Sequence, residues 1–266
     1  MKARRGLLLI LLAAALLSAL FASLGTWQLQ RMEWKQALIA RIEARAHAAP
    51  ASAPALQAWP AIQAAPQDYE YRRIRLRGQF LHTRETLVQA TTVLGAGFWV
   101  LTPLRQASGK IVLVNRGFVP PAQRDPATRT TGATAGDVEI IGLLRVTEPG
   151  GGFLRDNDPA NGRWFSRDVA AIAAALGLPA GQVAPYFIDA QAGPPGQHPV
   201  GGLTVLHLRD SHLVYALTWY ALALMVVAGA IFVWRQTVTS SALSSRRPWA
   251  LPDGIRGRPV CADKTT

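Results

Sequence analysis

Cysteine is almost absent from this chain. The only one in 266 residues is Cys261, close to the C-terminus. That excludes an intrachain disulfide framework, a Cys-x-x-Cys-His haem attachment and any multi-cysteine zinc or iron–sulfur centre. Histidine is scarce as well. The five are His47, His82, His198, His207 and His212; no two stand at i, i+4 and there is no His-Glu-x-x-His, so a preassembled zinc site has no support. Gly-x-Ser-x-Gly is missing, which removes the α/β-hydrolase reading. Gly150-Gly151-Gly152 lacks the Lys-Ser/Thr of a phosphate loop. Asp156-Asn157-Asp158 opens like a calcium loop but lacks the glycine at position six and the terminal glutamate, and reads as a turn. With no acid–base or redox constellation in view, the chain is expected not to be an enzyme.

Acidic residues are few: 16 Asp and Glu stand against 28 Lys and Arg, for a net charge of +12. Such a balance raises nucleic-acid binding, but the placement of the charge argues against it. Lys2, Arg4 and Arg5 begin the chain, and Arg235, Arg246, Arg247, Arg256, Arg258 and Lys264 lie in its tail. Over half of the excess therefore sits in two short ends, each beside an apolar run, as the positive-inside rule places cytoplasmic ends.

Those runs are the dominant feature. Residues 213–234 carry no charge and as a helix reach about 33 Å, enough for a hydrocarbon core of about 30 Å. Residues 6–24 are also uncharged. A secretory signal has a shorter apolar region and a small-x-small cleavage site, and Ser23-Leu24-Gly25 is a poor one, so an uncleaved span is expected. The expected organisation is a basic cytoplasmic tail (1–5), transmembrane helix 1 (6–27), an extramembrane domain (28–212) with an Ala/Pro linker near 44–66, transmembrane helix 2 (213–234), and a basic, disordered cytoplasmic tail (235–266). In a bacterial inner membrane the domain side is the periplasm; in a mitochondrion it is the intermembrane space. Trp27, Arg31, Trp34 and Leu38 recur on one face of a continuing helix, either as an aromatic and basic interfacial belt or as part of a ligand or partner site.

The central domain reads as mainly antiparallel β. In 71–80, Ile74, Leu76 and Phe80 alternate with Arg73, Arg75 and Arg77, the period of a half-buried strand. Further strands are expected at 87–92, 97–104, 110–115, 137–146, 186–189 and 203–208. A helix is expected over 166–176, capped by Ser166, favoured by Asp168 at its N-terminus and ended by Gly177. The fold class is thus a membrane protein, α+β, with two transmembrane helices flanking a mainly antiparallel extramembrane β-domain that holds at least one helix.

His212 stands apart from the other histidines because it opens the second span. On a helix it shares a face with Tyr215, Ala216, Trp219 and Ala223. Imidazole is a common axial ligand of haem iron, the alanines leave room for a flat ligand or for another helix, and Arg31 and Arg209 could meet propionates. The plainer alternative is an interfacial histidine that anchors the helix.

Four segments in order make the chain resemble the SURF1 family, called Shy1 in yeast: LGTWQLQR at 24–31 with Trp34-Lys35, Gly78-Gln79-Phe80 with Glu85 followed by GFWVLTPL at 97–104, VNRGFVP at 114–120, and SHLVYALTWYALA at 211–223. The resemblance implies a two-span inner-membrane protein, in a bacterium multi-pass in the plasma membrane with a periplasmic domain. It implies a cytochrome c oxidase assembly factor that binds or stabilises haem a for insertion into oxidase subunit I, with haem a synthase as another possible partner besides the lipid bilayer and with no nucleic acid. His212 would be the haem a ligand, and Trp27, Arg31, Tyr215 and Trp219 would belong to the same site. The family commonly has two asparagines before that histidine, where this chain has Asp210-Ser211, and Asp210 could pair with Arg209. A membrane chaperone that stabilises an oxidase subunit without binding haem is the alternative. In VNRGFVP, Gly117 can take φ > 0, and Arg116 either faces a partner or, the plainer reading, is a solvated arginine on a structural turn.

Overall fold

The structure is a computed structural model and describes residues 2–129, 136–206 and 210–244, without side chains for 2–4 and 240–244. It contains four α-helices among the described residues: α1 (Lys2–His47), α2 (Trp59–Ala64), α3 (Val169–Ala175) and α4 (His212–Ser244). The strands are β1 (Ala51–Ser52), β2 (Arg73–Phe80), β3 (Thr86–Thr92), β4 (Gly95–Arg105), β5 (Ile111–Val119), β6 (Asp137–Val146) and β7 (Val183–Ala190). Packing divides the chain into a sheet domain, Trp34–Arg209, and a unit built from its two ends. Both α1 and α4 are long and apolar enough to cross a membrane. The chain is a two-span membrane protein with an extramembrane sheet domain.

The strand order is β1-β2-β6-β7-β5-β4-β3. Pairing of Gln79 with Arg105 and of Phe80 with Leu104 brings β2 against β4 as well, so β2, β6, β7, β5 and β4 close into a five-stranded ring. The pairings β1–β2 and β5–β7 are parallel and the others antiparallel. All five ring strands contribute to one core through Ile74, Leu76, Leu104, Val112, Val114, Leu144, Tyr186 and Ile188. The opposite face packs Ile111, Leu113 and Phe187 against Val169 and Ile172 of α3. This explains why β5 reads as a continuous apolar run: Val112 and Val114 face one cluster and Ile111 and Leu113 the other, so neither side of the strand is wet.

Several expectations need correction. The Ala/Pro stretch near 44–66 is not a bare linker. α1 runs unbroken to His47, and α2 lies within the stretch and sends Trp59 and Ile62 into the ring core. Its many small residues hide two large ones that do the packing. β5 does not end at Asn115 but runs on through Gly117, whose φ of +132° lets the strand continue where a Cβ would lie 2.3 Å from the Val200 backbone. The helix near 166–176 begins later than expected. Asp168 is its N-cap, accepting from the Ala171 amide at 3.1 Å, whereas the Ser166 hydroxyl accepts from the Gly151 amide and the Asn157 side chain. Residues 203–206 form no strand, and His207 and Leu208 lie outside the described residues. α4 continues past Arg235 to Ser244, so the tail expected to be disordered begins as helix; 245–266 lie outside the described residues.

Candidate functional site at the helix pair

Within the unit built from the chain ends, α1 and α4 meet antiparallel along two stripes. On α1 the stripe is Ser18, Phe21, Gly25 and Gln28, spaced as one helical face. The Ser18 hydroxyl donates to the Ala223 carbonyl at 3.3 Å. Phe21 packs on Trp219 with ring centroids 5.7 Å apart. Gly25 is buried, and a Cβ there would stand 2.9 Å from the Tyr220 ring. Thr26 and the Tyr220 hydroxyl hydrogen-bond at 3.0 Å. Ala216 and Ala223 are the buried residues of α4 among those described. Small residues let two helix backbones approach closely without needing water-driven burial, as the interior of a membrane requires. Of the two uses open to the alanines of α4, a flat ligand or another helix, the structure takes the helix.

His212 ends this contact. Its Nδ1 lies 2.7 Å from Oε1 of Gln28, and its backbone N–H donates to Asp210 at 3.0 Å. Asp210 therefore acts as a cap for α4; Arg209, its expected partner, lies outside the described residues. With Nδ1–H donating to the Gln28 amide oxygen, the lone pair is left on Nε2, which has no hydrogen-bond partner among the described residues. Metal-binding histidines are commonly set up in this way, one ring nitrogen oriented by an oxygen acceptor and the other presented to the metal.

The five residues singled out from sequence thus divide. His212 and Trp219 lie in the α1–α4 contact. Trp27 and Tyr215 are each 55% exposed, and Arg31 is exposed. The contact also holds Gln28, Gly25, Phe21 and Tyr220, which sequence reasoning passed over. The signal that could have found them is the i, i+3, i+7, i+10 recurrence of Ser18, Phe21, Gly25 and Gln28.

The sheet domain holds a second polar centre. The Asp189 carboxylate is 5% exposed. It accepts from Asn115 at 2.8 Å, Thr204 at 2.9 Å, Arg167 at 3.1 Å and Arg145 at 3.2 Å. Arg145 also donates to Glu70, and Arg167 makes a two-pronged contact with Glu148. Arg167 stacks over Phe187 and Arg145 over Tyr71. A cavity of about 220 Å³ opens beside Asn115, Gly117, Arg145, Arg167, Asp189 and Thr204. Asn115 receives the Gly117 amide as well, so part of the VNRGFVP segment serves as a structural tie. Arg116 is not solvated as expected: it is largely buried, stacked over Phe80 and 3.8 Å from Glu85.

Burial alone would raise the Glu148 pKa, but the Arg167 hydrogen bonds and charge hold it below the ordinary carboxylate range. A depressed carboxylate contributes stability that is present above its unfolded value and lost as pH falls through the folded one. Glu148→Gln is therefore expected to lower the domain's melting temperature at neutral pH and to flatten its decline below about pH 4.3. Thermal melts across an acid series check this; a variant whose curve parallels the parent's at every pH would contradict it.

The family model that matches this chain is described as the SURF1 family and covers residues 15–224. The chain belongs to the SURF1 family. That match takes in the α1 stripe from Ser18 to Gln28, the sheet domain and α4 through Ala223. A SURF1-like protein of Monosiga brevicollis is 37% identical over 239 residues, covering 85% of this chain and 87% of the relative. Surfeit locus protein 1 of Homo sapiens is 36% identical over 230 residues, covering 79% and 71%. Its Mus musculus counterpart is 35% identical over 239 residues, covering 83% and 73%. In this SURF1-family chain, both the imidazole–amide pair of the spans and the Asp189 centre of the sheet fall inside the matched region.

Proposed function

We propose that this SURF1-family protein is a non-enzymatic assembly factor for haem-copper (aa3-type) cytochrome c oxidase, binding or stabilising haem a for insertion into oxidase subunit I. It would act in the inner (plasma) membrane of a bacterium with its sheet domain in the periplasm, a placement the basic chain ends support. Haem a synthase is a second possible partner. The observation that carries the haem reading is the His212–Gln28 pair. It fits an imidazole that would hold the iron with its tautomer and ring orientation set in advance. A bound haem would supply an iron able to take an imidazole nitrogen; Gln28 would hold the proton on Nδ1 and leave Nε2 of His212 to bind it. The close contact of Gly25 with Tyr220 argues against a porphyrin lying between the spans at that level. The same tight packing favours the second reading, a membrane chaperone that stabilises an oxidase subunit without haem.

Complementation of a host that lacks its own SURF1-type factor tests the choice. Wild-type protein is expected to restore oxidase activity, and His212→Ala to fail at equal expression. Gln28→Ala is expected to weaken haem a affinity about 10- to 100-fold, the usual cost of losing an outer-shell partner. Full restoration by His212→Ala would favour the chaperone.

A further inference from the structure

We propose that the cavity beside Asp189 is a binding site for a small oxyanion, a carboxylate or phosphate of a few heavy atoms. Donors outnumber acceptors around it. A carboxylate offers about four lone-pair sites. Asp189 accepts from Asn115, Thr204, Arg167 and Arg145, so its capacity is filled from within the protein. Donors are left over. Arg145 gives Nε to Glu70 and Nη1 to Asp189, and its Nη2 has no hydrogen-bond partner among the described residues. Neither has the Trp99 indole N–H, nor the backbone N–H groups of Leu203 and Thr204. All these residues line the cavity. Polar groups drawn out of bulk water are ordinarily paired, so the group that completes this site is an acceptor.

Water could satisfy any one of these groups, but the charge of the lining selects an anion. Among the described residues, Arg145, Arg167 and Asp189 are the charged members of the lining, two cations against one anion. Glu70 and Glu148, which complete the ion network, do not line the cavity. The Arg145 and Arg167 side chains are 16% and 13% exposed, and at such burial a charge is felt more strongly than in water. Guanidinium N–H groups suit carboxylate and phosphate oxygens in particular. The cavity volume, about 220 Å³, is the share of roughly seven waters. That is room for a small acid and not for a macrocycle.

One wall of the cavity is a strap with no regular structure, residues 201–206. It is fastened just before its start, where Val200 and Phe118 exchange backbone hydrogen bonds at 2.9 Å. The Gly202 amide donates to the Ala190 carbonyl at 2.9 Å, and the Thr204 hydroxyl to Asp189 at 2.9 Å. An oxyanion held by Arg145 and by the amides of Leu203 and Thr204 ties this strap to β6. In sequence the strap leads on to α4, so the ligand would steady the segment through which the sheet domain is joined to the second span.

The test uses the full chain in detergent, with inorganic phosphate, acetate and, at matched ionic strength, chloride as probes. Hydrogen exchange of peptides covering 201–206 is one readout and calorimetric titration the other. An oxyanion is expected to slow exchange in the strap several-fold and to bind saturably, and chloride to do neither. Slowing by phosphate alone assigns a phosphoryl ligand, slowing by acetate alone a carboxylate, and slowing by both a site that takes either. Arg145→Gln is expected to abolish the effect. Trp99→Phe, which keeps a ring and loses the N–H, is expected to weaken binding several-fold; it decides the matter even where Arg145→Gln is too unstable to titrate, and thermal melts show which variants are folded. Slowing that chloride reproduces, the absence of saturable binding by either oxyanion, or parental affinity in a folded variant would overturn the proposal.

Discussion

Asp189→Ala is expected to destabilise the sheet domain by about 3–5 kcal/mol, the cost of breaking a buried ion network by removing one partner. Asp189 accepts from four side chains at once. Without it, Glu70 is the carboxylate left to Arg145 and Glu148 the one left to Arg167, and both guanidinium groups face a cavity that no longer contains the balancing charge. Thr204 also loses its partner, so the segment between β7 and α4 loses a side-chain tie. Asp189→Asn should do less harm, since its amide oxygen can still accept from Asn115 or Thr204 while the charge is gone. Thermal unfolding followed by tryptophan fluorescence is the readout, because Trp99 lines the same cavity. A melting temperature unchanged in Asp189→Ala would contradict the network's role.

The second large effect is expected in the helix pair. Gly25→Leu should separate α1 from α4, because even a Cβ would stand 2.9 Å from the Tyr220 ring and a full side chain has nowhere to go. Gly25→Ala could be absorbed by a tilt of that ring at the cost of the Thr26–Tyr220 hydrogen bond. Disulfide formation between Ser18→Cys and Ala223→Cys in the Cys261→Ser background measures the separation, since those residues are hydrogen-bonded in the parent. The cross-link yield should fall several-fold in Gly25→Leu and only modestly in Gly25→Ala. Equal yields in all three would show that the close approach at Gly25 is not what holds the helices together. If the pair opens, His212 and Gln28 part as well, and Gly25→Leu should reproduce the haem defect of Gln28→Ala without touching either residue.

What was legible in the sequence followed from local rules. β2 could be read because one face is wet, so Arg73, Arg75 and Arg77 mark the register of Ile74 and Leu76. β6 spans the residues its pattern indicated, Asp137–Val146. The spans were legible from length and lack of charge. The closing of the ring was not, because it depends on two residue pairs between β2 and β4 that no periodicity announces. Trp59 and Ile62 were lost in an Ala/Pro background whose composition resembles a linker. Ser166 and Asp168 are both good caps two residues apart, and tertiary contacts to Gly151 and Asn157 decided between them. In the helix pair, His212 and Trp219 could be singled out because their chemistry is conspicuous, and both lie in the α1–α4 contact. Gln28 was missed because a neutral amide between Trp27 and Arg31 carries no signal until its partner helix is placed. Tyr215 and Tyr220 are equally plausible on paper; only the position of α1 shows that Tyr220 is the one in contact.

The most direct test of the haem reading is a visible absorption spectrum of the detergent-purified protein, co-expressed with the enzymes of haem a biosynthesis, recorded beside His212→Ala and Gln28→Ala. A Soret band in the parent that is lost in His212→Ala and weakened in Gln28→Ala is the expected result. A parent protein that stays colourless while haem a is available, or a band unchanged in His212→Ala, would contradict His212 as the haem ligand.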